Sequence, residues 1–256
     1  TTRVPLALLK ASQGTRRILM LEPRRLAAKA AAERLAAELG EAVGLRVGYR
    51  VRMESRVSAA TRIEVLTDGL FLRQLQADPS LADVACVIFD EFHERNLLSD
   101  VALALAKRLQ ATERPDLRLV VMSATLEAEP VARYLAAPMP VMSSISEPVS
   151  SGANSGGSAP VPVLVPAPIL VSEGRTFPVE MQWLDYGDSR PVHELAAEKV
   201  ERIVEAGWEG DILVFMPGKG EIQSTLGALA AARLGERVAL IPLHGELAPD
   251  DQDRAF

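Results

Sequence analysis

Asp90 and Glu91 stand side by side at the end of Val84-Ala85-Cys86-Val87-Ile88-Phe89, the clearest buried-strand pattern in the chain. Carboxylates at the C-terminal end of a buried parallel strand face the crevice where α/β folds hold ligands. In a phosphoryl-transfer enzyme the first acid of such a pair holds Mg2+, usually through water, and the second orients or deprotonates the attacking water. The same two residues also suit an ordinary helix start, with an N-cap followed by a first-turn acid. Both roles fit the residue types.

Other residues with chemistry available lie at similar junctions. Arg24 and Arg25 follow a short apolar run and open a helical stretch, where a helix N-terminus already favours anions. A solvated arginine pair fits there too. Thr67-Asp68-Gly69 precedes another helical stretch, so Thr67 serves as a plain N-cap, as a phosphate contact, or as both. Ser123 and Thr125 end a strand pattern and begin a helix. Phe215, at a strand end, is a core side chain or a base-stacking platform. His93 beside the acids suggests a metal ligand, yet the chain has three histidines and one cysteine, none at ligand spacing from another.

The elements that must carry these residues alternate short β-branched runs with Ala/Leu-rich helices, the pattern of a parallel sheet covered by helices. Strands are expected at 17–21, 45–51, 61–66, 84–89 and 117–122, with helices at 24–39, 68–76, 97–110 and 127–135. Residues 136–168 turn to Ser, Gly, Pro and Val, which reads as a flexible Ser/Gly part, with high mobility expected at Ser150 to Ser158, and an extended Pro part. Beyond it, strands are expected at 169–171, 179–184, 212–215 and 238–242, and helices at 192–206 and 221–234.

The chain has 256 residues, 48% hydrophobic and 24% charged, which excludes disordered and collagen-like classes and suits two domains. No apolar run is long enough to span a bilayer. The net charge of −6 argues against a polyanion partner until it is divided by region. Residues 1–75 carry 14 basic and 7 acidic side chains, so an anion-binding face is available there. The lone Cys86 excludes an internal disulfide and points to a reducing cytoplasm.

Asp90-Glu91-Phe92-His93-Glu94-Arg95 resembles motif II of the DEAH-box helicases, a branch of superfamily 2. Leu21-Glu22-Pro23-Arg24-Arg25-Leu26-Ala27-Ala28 is similar to motif Ia of that family, and Gly48-Tyr49-Arg50-Val51-Arg52 to its Gly-Tyr-x-x-Arg stretch. Thr67-Asp68-Gly69 is similar to motif Ib, Ser123-Ala124-Thr125 to motif III, and Leu213 to Gly218 with Glu221-Ile222 to motif IV. Leu243-His244-Gly245 with Gln252 and Phe256 resembles the segment that follows. The third box residue is usually Ala. Phe92 there, followed by Glu94-Arg95, is the form of the bacterial HrpB-type ATP-dependent helicases. The resemblance covers residues 1–137 and 169–256.

This resemblance implies two tandem RecA-like α/β P-loop NTPase domains: the first at 1–137, a linker or insertion at 138–168, and a truncated second at 169–256. It implies ATP and Mg2+ as cofactors, with Asp90 and Glu91 catalytic and Thr1, Thr2, Asp90, Glu91 and His93 around the nucleotide. Thr1 and Asp90 would be the Mg2+ ligands. Arg24, Arg25, Thr67, Asp68, Gly69, Phe215, Pro217 and Gly218 would contact single-stranded nucleic acid, RNA more readily than DNA. His93, Arg95, Ser123 and Thr125 would couple hydrolysis to strand movement. No G-x-x-x-x-G-K-S/T loop occurs in the chain. Thr1 therefore resembles the last residue of such a loop, and these 256 residues alone are expected to be inactive while a full-length parent hydrolyses ATP. A non-catalytic nucleic-acid-binding module built on a degenerate helicase domain is the rival from another class. A P-loop kinase or transporter ATPase fits less well, because motifs Ia, Ib and III arrive in helicase order.

Overall fold

The run Arg17-Ile18-Leu19-Met20-Leu21-Glu22 forms the central strand β1, and its side chains divide between two cores as strand periodicity requires. Ile18 and Met20 face one side, Leu19 and Leu21 the other. Strands covered on both faces read as continuous apolar runs, which is why no alternation shows in the sequence. The computed structural model describes residues 1–12, 14–124, 128–138, 164–172, 177–183, 187–207, 209–232, 234–248, 251–252 and 254–255.

Around β1 (Arg17–Glu22) lie β2 (Val47–Val51), β3 (Glu54–Arg56), β4 (Ile63–Thr67), β5 (Val84–Phe89) and β6 (Arg118–Val121), in the order β3-β2-β4-β1-β5-β6. Neighbours are parallel except the β2/β3 hairpin. The helices are α1 (Arg3–Ala11), α2 (Arg25–Glu38), α3 (Asp68–Ala77), α4 (Leu97–Thr112) and α5 (Ala128–Tyr134). α2 covers one face through Ala28, Ala32 and Leu35. α3 and α4 cover the other through Phe71, Ala102, Leu103, Ala106 and Leu109.

The hairpin was not legible in the sequence. Its turn places Met53 at φ 67° and 97% exposed. Tyr49 donates to Glu54, which Lys29 of α2 also approaches at 3.5 Å. On the other face the fully buried Glu64 lies between Arg17 and Arg50. Gly48 has no room for a side chain, because an added Cβ would collide with the Arg56 carbonyl oxygen.

Thr1–Glu173 form one compact unit and Gly174–Phe256 a second. The first includes a short antiparallel pair, β7 (Ala137–Pro138) with β8 (Leu164–Val165), and the Ala167 N–H donates to Ala132 O at 2.9 Å. The end of the expected linker is therefore tied back to α5. Ser150 to Ser158 lie outside the described residues.

Among the described residues the second unit holds α6 (Val192–Glu205), α7 (Lys219–Ala231) and a 3-10 turn at Leu234–Glu236, packed through Ala197, Val200, Leu229 and Leu234. The strands expected at 169–171, 179–184, 212–215 and 238–242 do not form among the described residues. A strand is defined by its ladder to a neighbour. Here Leu170, Leu213 and Phe215 are 80% or more exposed and join no ladder, while Val238 and Leu240 pack against the α6/α7 core instead of pairing in a sheet. The second sheet implied by the tandem architecture is thus absent from the described residues.

Candidate nucleotide and nucleic-acid site

The parallel register brings the C-terminal ends of three strands level, with Glu22 opposite Thr67 and Leu21 opposite Phe89. Asp90 follows directly, its N–H donating to Leu21 O at 3.0 Å. It is 7% exposed; Oδ1 accepts the Glu91 N–H at 2.9 Å, and Oδ2 is buried with no hydrogen-bond partner. Beside it Glu22 is buried, and its pKa is pushed up to about 9, by burial first and then by the negative charge of Asp90. Burial and the neighbouring charge thus favour the protonated form of Glu22.

Glu91 and Arg95 both adopt left-handed backbone, φ 49°, and bracket a 3-10 turn over Phe92–Glu94. Non-glycine residues in this region mark strain held by surrounding structure. Phe92 supplies the hold. Its N–H donates to Met122 O at 3.2 Å, and its ring packs edge-on against Phe89 at 6.5 Å, with Phe71 beyond at 6.3 Å. The Arg95 guanidinium lies 5.6 Å from the Phe92 ring centroid and pairs with Asp100 at 3.0 Å. His93 Nε2 is 3.3 Å from Glu91 Oε2, and its Nδ1 is 3.4 Å from Ser123 Oγ. The turn thus joins Glu91, His93 and Ser123 in one polar chain. Thr125 lies outside the described residues.

Asp90 and Glu91 do not cap α4, which removes the ordinary alternative raised by their residue types. The cap is Asn96, whose side chain accepts the Leu98 N–H at 3.0 Å.

On the same edge Arg24 is the N-cap of α2 and Arg25 its first residue, both exposed. Arg24 grips Glu94 with two nitrogens, at 3.3 and 3.2 Å. No acid occupies the first turn of α2, so its leading N–H groups are open to an anion. Thr67 is the N-cap of α3 but makes no side-chain cap bond. Asp68 is buried and accepts the Ser99 hydroxyl at 2.7 Å, tying α3 to α4; burial raises its pKa while that hydroxyl lowers it. At Gly69 an added Cβ would meet Leu98 at an ordinary 3.8 Å. Thr1 is exposed, and the Thr2 hydroxyl donates to Glu38 at 3.0 Å. Phe215, Pro217 and Gly218 belong to the second unit, with Phe215 89% exposed and Gly218 the N-cap of α7.

Sequence reasoning gave no site role to Glu22, Glu94 or Arg52. Glu22 had a signal, an acid closing a buried strand one place before a proline. Arg52 had one in the Gly-Tyr-x-x-Arg stretch it closes, but the β2/β3 turn that carries it to this edge was not legible. A cavity of about 800 Å3 lined in part by Ser12, Arg16, Cys86 and Arg118 opens at the N-terminal ends of the strands, away from this chemistry. Among the described residues no cluster of three or more His, Cys, Asp or Glu could hold a metal by itself, and no helix is long and apolar enough to cross a membrane.

The DEAD/DEAH box helicase family matches residues 1–134. The chain is 39% identical over 261 residues to the ATP-dependent RNA helicase HrpB of Escherichia coli, covering all of this chain and 28% of that protein. It is 34% identical over 269 residues to the probable ATP-dependent RNA helicase DHX34 of Mus musculus, covering 20% of it. Among solved structures, the crystal structure of Escherichia coli DEAH/RHA helicase HrpB superposes with a TM-score of 0.72 at 37% identity, covering 99% of this chain and 28% of that one. The chain thus spans less than a third of the length of these relatives.

Proposed function

The chain belongs to the DEAD/DEAH box helicase family, and on that basis we propose that the whole protein is a DEAH-box helicase that hydrolyses ATP to move along or unwind nucleic acid, RNA rather than DNA. The observation that carries this is Asp90 Oδ2, a buried carboxylate oxygen without a partner at the C-terminal edge of the sheet. A bound Mg2+ takes one or two carboxylates, keeps waters and completes its shell with phosphate oxygens. Asp90 fits that donor set, and Thr1, which resembles the last residue of a phosphate-binding loop, would be the second protein ligand. Mg2+ would supply neutralisation of charge on the phosphates.

Glu91, half exposed beside Asp90, orients the attacking water and receives its proton. His93, Arg95, Ser123 and Thr125 transmit the state of that site. Thr2 and His93 border the nucleotide. Arg24, Arg25 and the uncapped start of α3 at Thr67 and Gly69 hold backbone phosphates, and Asp68 keeps that start fixed through Ser99. Arg52, exposed at the hairpin turn on the same edge, joins them. Phe215, Pro217 and Gly218 contact the strand from the second domain. Cytoplasmic location follows from ATP and RNA as substrates.

Nucleic-acid-stimulated ATPase of the full-length protein tests this. Glu91→Gln should lower the rate by about 10²- to 10⁴-fold; a wild-type rate would sink the mechanism.

A further inference from the structure

We propose that the Arg24–Glu94 ion pair is a latch opened by nucleic acid, with Glu94 as the positioning residue through which strand contact reaches the hydrolytic turn. This rests on the function proposed above, in which Arg24 meets a phosphate and Glu91 serves hydrolysis.

Arg24 caps α2 with its side chain 73% exposed, yet it reaches across to Glu94 rather than to solvent. Glu94 closes the 3-10 turn: its N–H donates to the Glu91 carbonyl at 2.9 Å. One residue therefore touches both the strand-facing arginine, through its side chain, and the hydrolytic residue, through its backbone. A guanidinium fork fits a carboxylate or a phosphate in the same way, so a strand phosphate competes directly for the atoms that hold Glu94. The pair is exposed and thus weak enough to yield.

Release acts on a turn that can respond. Glu91 and Arg95 are held in left-handed backbone on either side of Phe92, which is 4% exposed and fixed in the core. With Phe92 as pivot, the two strained residues absorb the change when Glu94 is freed. In the latched state Glu91 stays against His93 at 3.3 Å, and release of Glu94 would let Glu91 reorient toward the attacking water. Because coupling between sites is reciprocal, whatever breaks the latch also frees Arg24 for a phosphate or removes it from one.

The test measures ATPase of the full-length protein with and without saturating polyuridylate, and the affinity for a fluorescent oligouridine at fixed salt. Glu94→Gln should raise the RNA-free rate by about two- to fivefold, the range an exposed ion pair supports, leave the RNA-saturated rate unchanged and tighten RNA binding. Arg24→Gln should raise the RNA-free rate equally but weaken RNA binding, and the double variant should add nothing to the RNA-free rate. The charge swap Arg24→Glu with Glu94→Arg should restore the low RNA-free rate without restoring RNA affinity. If Glu94→Gln matches the wild type in all three measurements, or lowers both rates together, the latch is overturned. That outcome is separate from failure of the helicase assignment, which Glu91→Gln with wild-type ATPase would show.

Discussion

His93 Nε2 stands 3.3 Å from Glu91 Oε2, and the same imidazole reaches the Ser123 hydroxyl with its other nitrogen at 3.4 Å. A ring held at both ends links Glu91 to the loop after β6. Ser123→Ala removes one hold and leaves Asp90 and Glu91 in place. Its ATPase rate should stay within about threefold of wild type, the loss of one modest hydrogen bond, while unwinding of a duplex with a single-stranded tail falls further. Equal loss in both assays would contradict a coupling role.

Salt dependence separates phosphate contact from other uses of the arginines. Each phosphate neutralised on a single strand contributes about 0.7 to the slope of log affinity against log salt. Arg25→Gln, exposed at the first position of α2, should reduce the slope by about that amount. An unchanged slope would assign Arg25 to the solvated surface.

Glu22 makes stability depend on pH in a defined direction. Unfolded, it ionises near the ordinary carboxylate value of 4.5; folded, only at about 9. Between those values the native state binds the extra proton, so this group's contribution is full below pH 4.5 and is lost as pH rises toward 9. Glu22→Gln should flatten the slope, by up to on the order of 1 kcal/mol per pH unit. Urea denaturation of both proteins at pH 5.5, 7 and 8.5 without nucleotide measures it; parallel slopes would contradict a protonated Glu22.

Cys86 should be inert in the native state. It is 3% exposed, and burial pushes its thiol up to about 11. A chromogenic disulfide reagent at pH 8 should titrate no thiol in the folded protein and one after unfolding. Fast native labelling would mean that β5 opens locally.

Asp90, Glu91, Arg24, Arg25 and Thr67 were legible because parallel strands ending in polar residues announce both the element and the edge it points to. β1, β4, β5 and their helices fell within a few residues of expectation for the same reason. The β2/β3 hairpin stayed hidden: Arg52-Met53 is not a turn pair of the glycine type, and the turn is held by tertiary ties through Tyr49, Glu54 and Glu64. Glu94 was visible only as part of the motif that follows β5, since its partner Arg24 lies 70 residues away. The runs after residue 169 carry strand periodicity without neighbours to complete a ladder, and periodicity alone does not supply one.

β1 lies between β4 and β5 in the sheet. Chain order places Arg24 first, then Thr67, then Asp90, but space places the loop after β1 in the middle. It is the junction on this edge: a displacement starting at Thr67 reaches Asp90 by the shortest route through the residues that follow Glu22. A rigid loop there would wire the two neighbours together and a slack one would insulate them. In the proposed helicase, the stiffness of Glu22, Pro23 and Arg24 would set how tightly movement of a nucleic-acid strand is geared to nucleotide turnover.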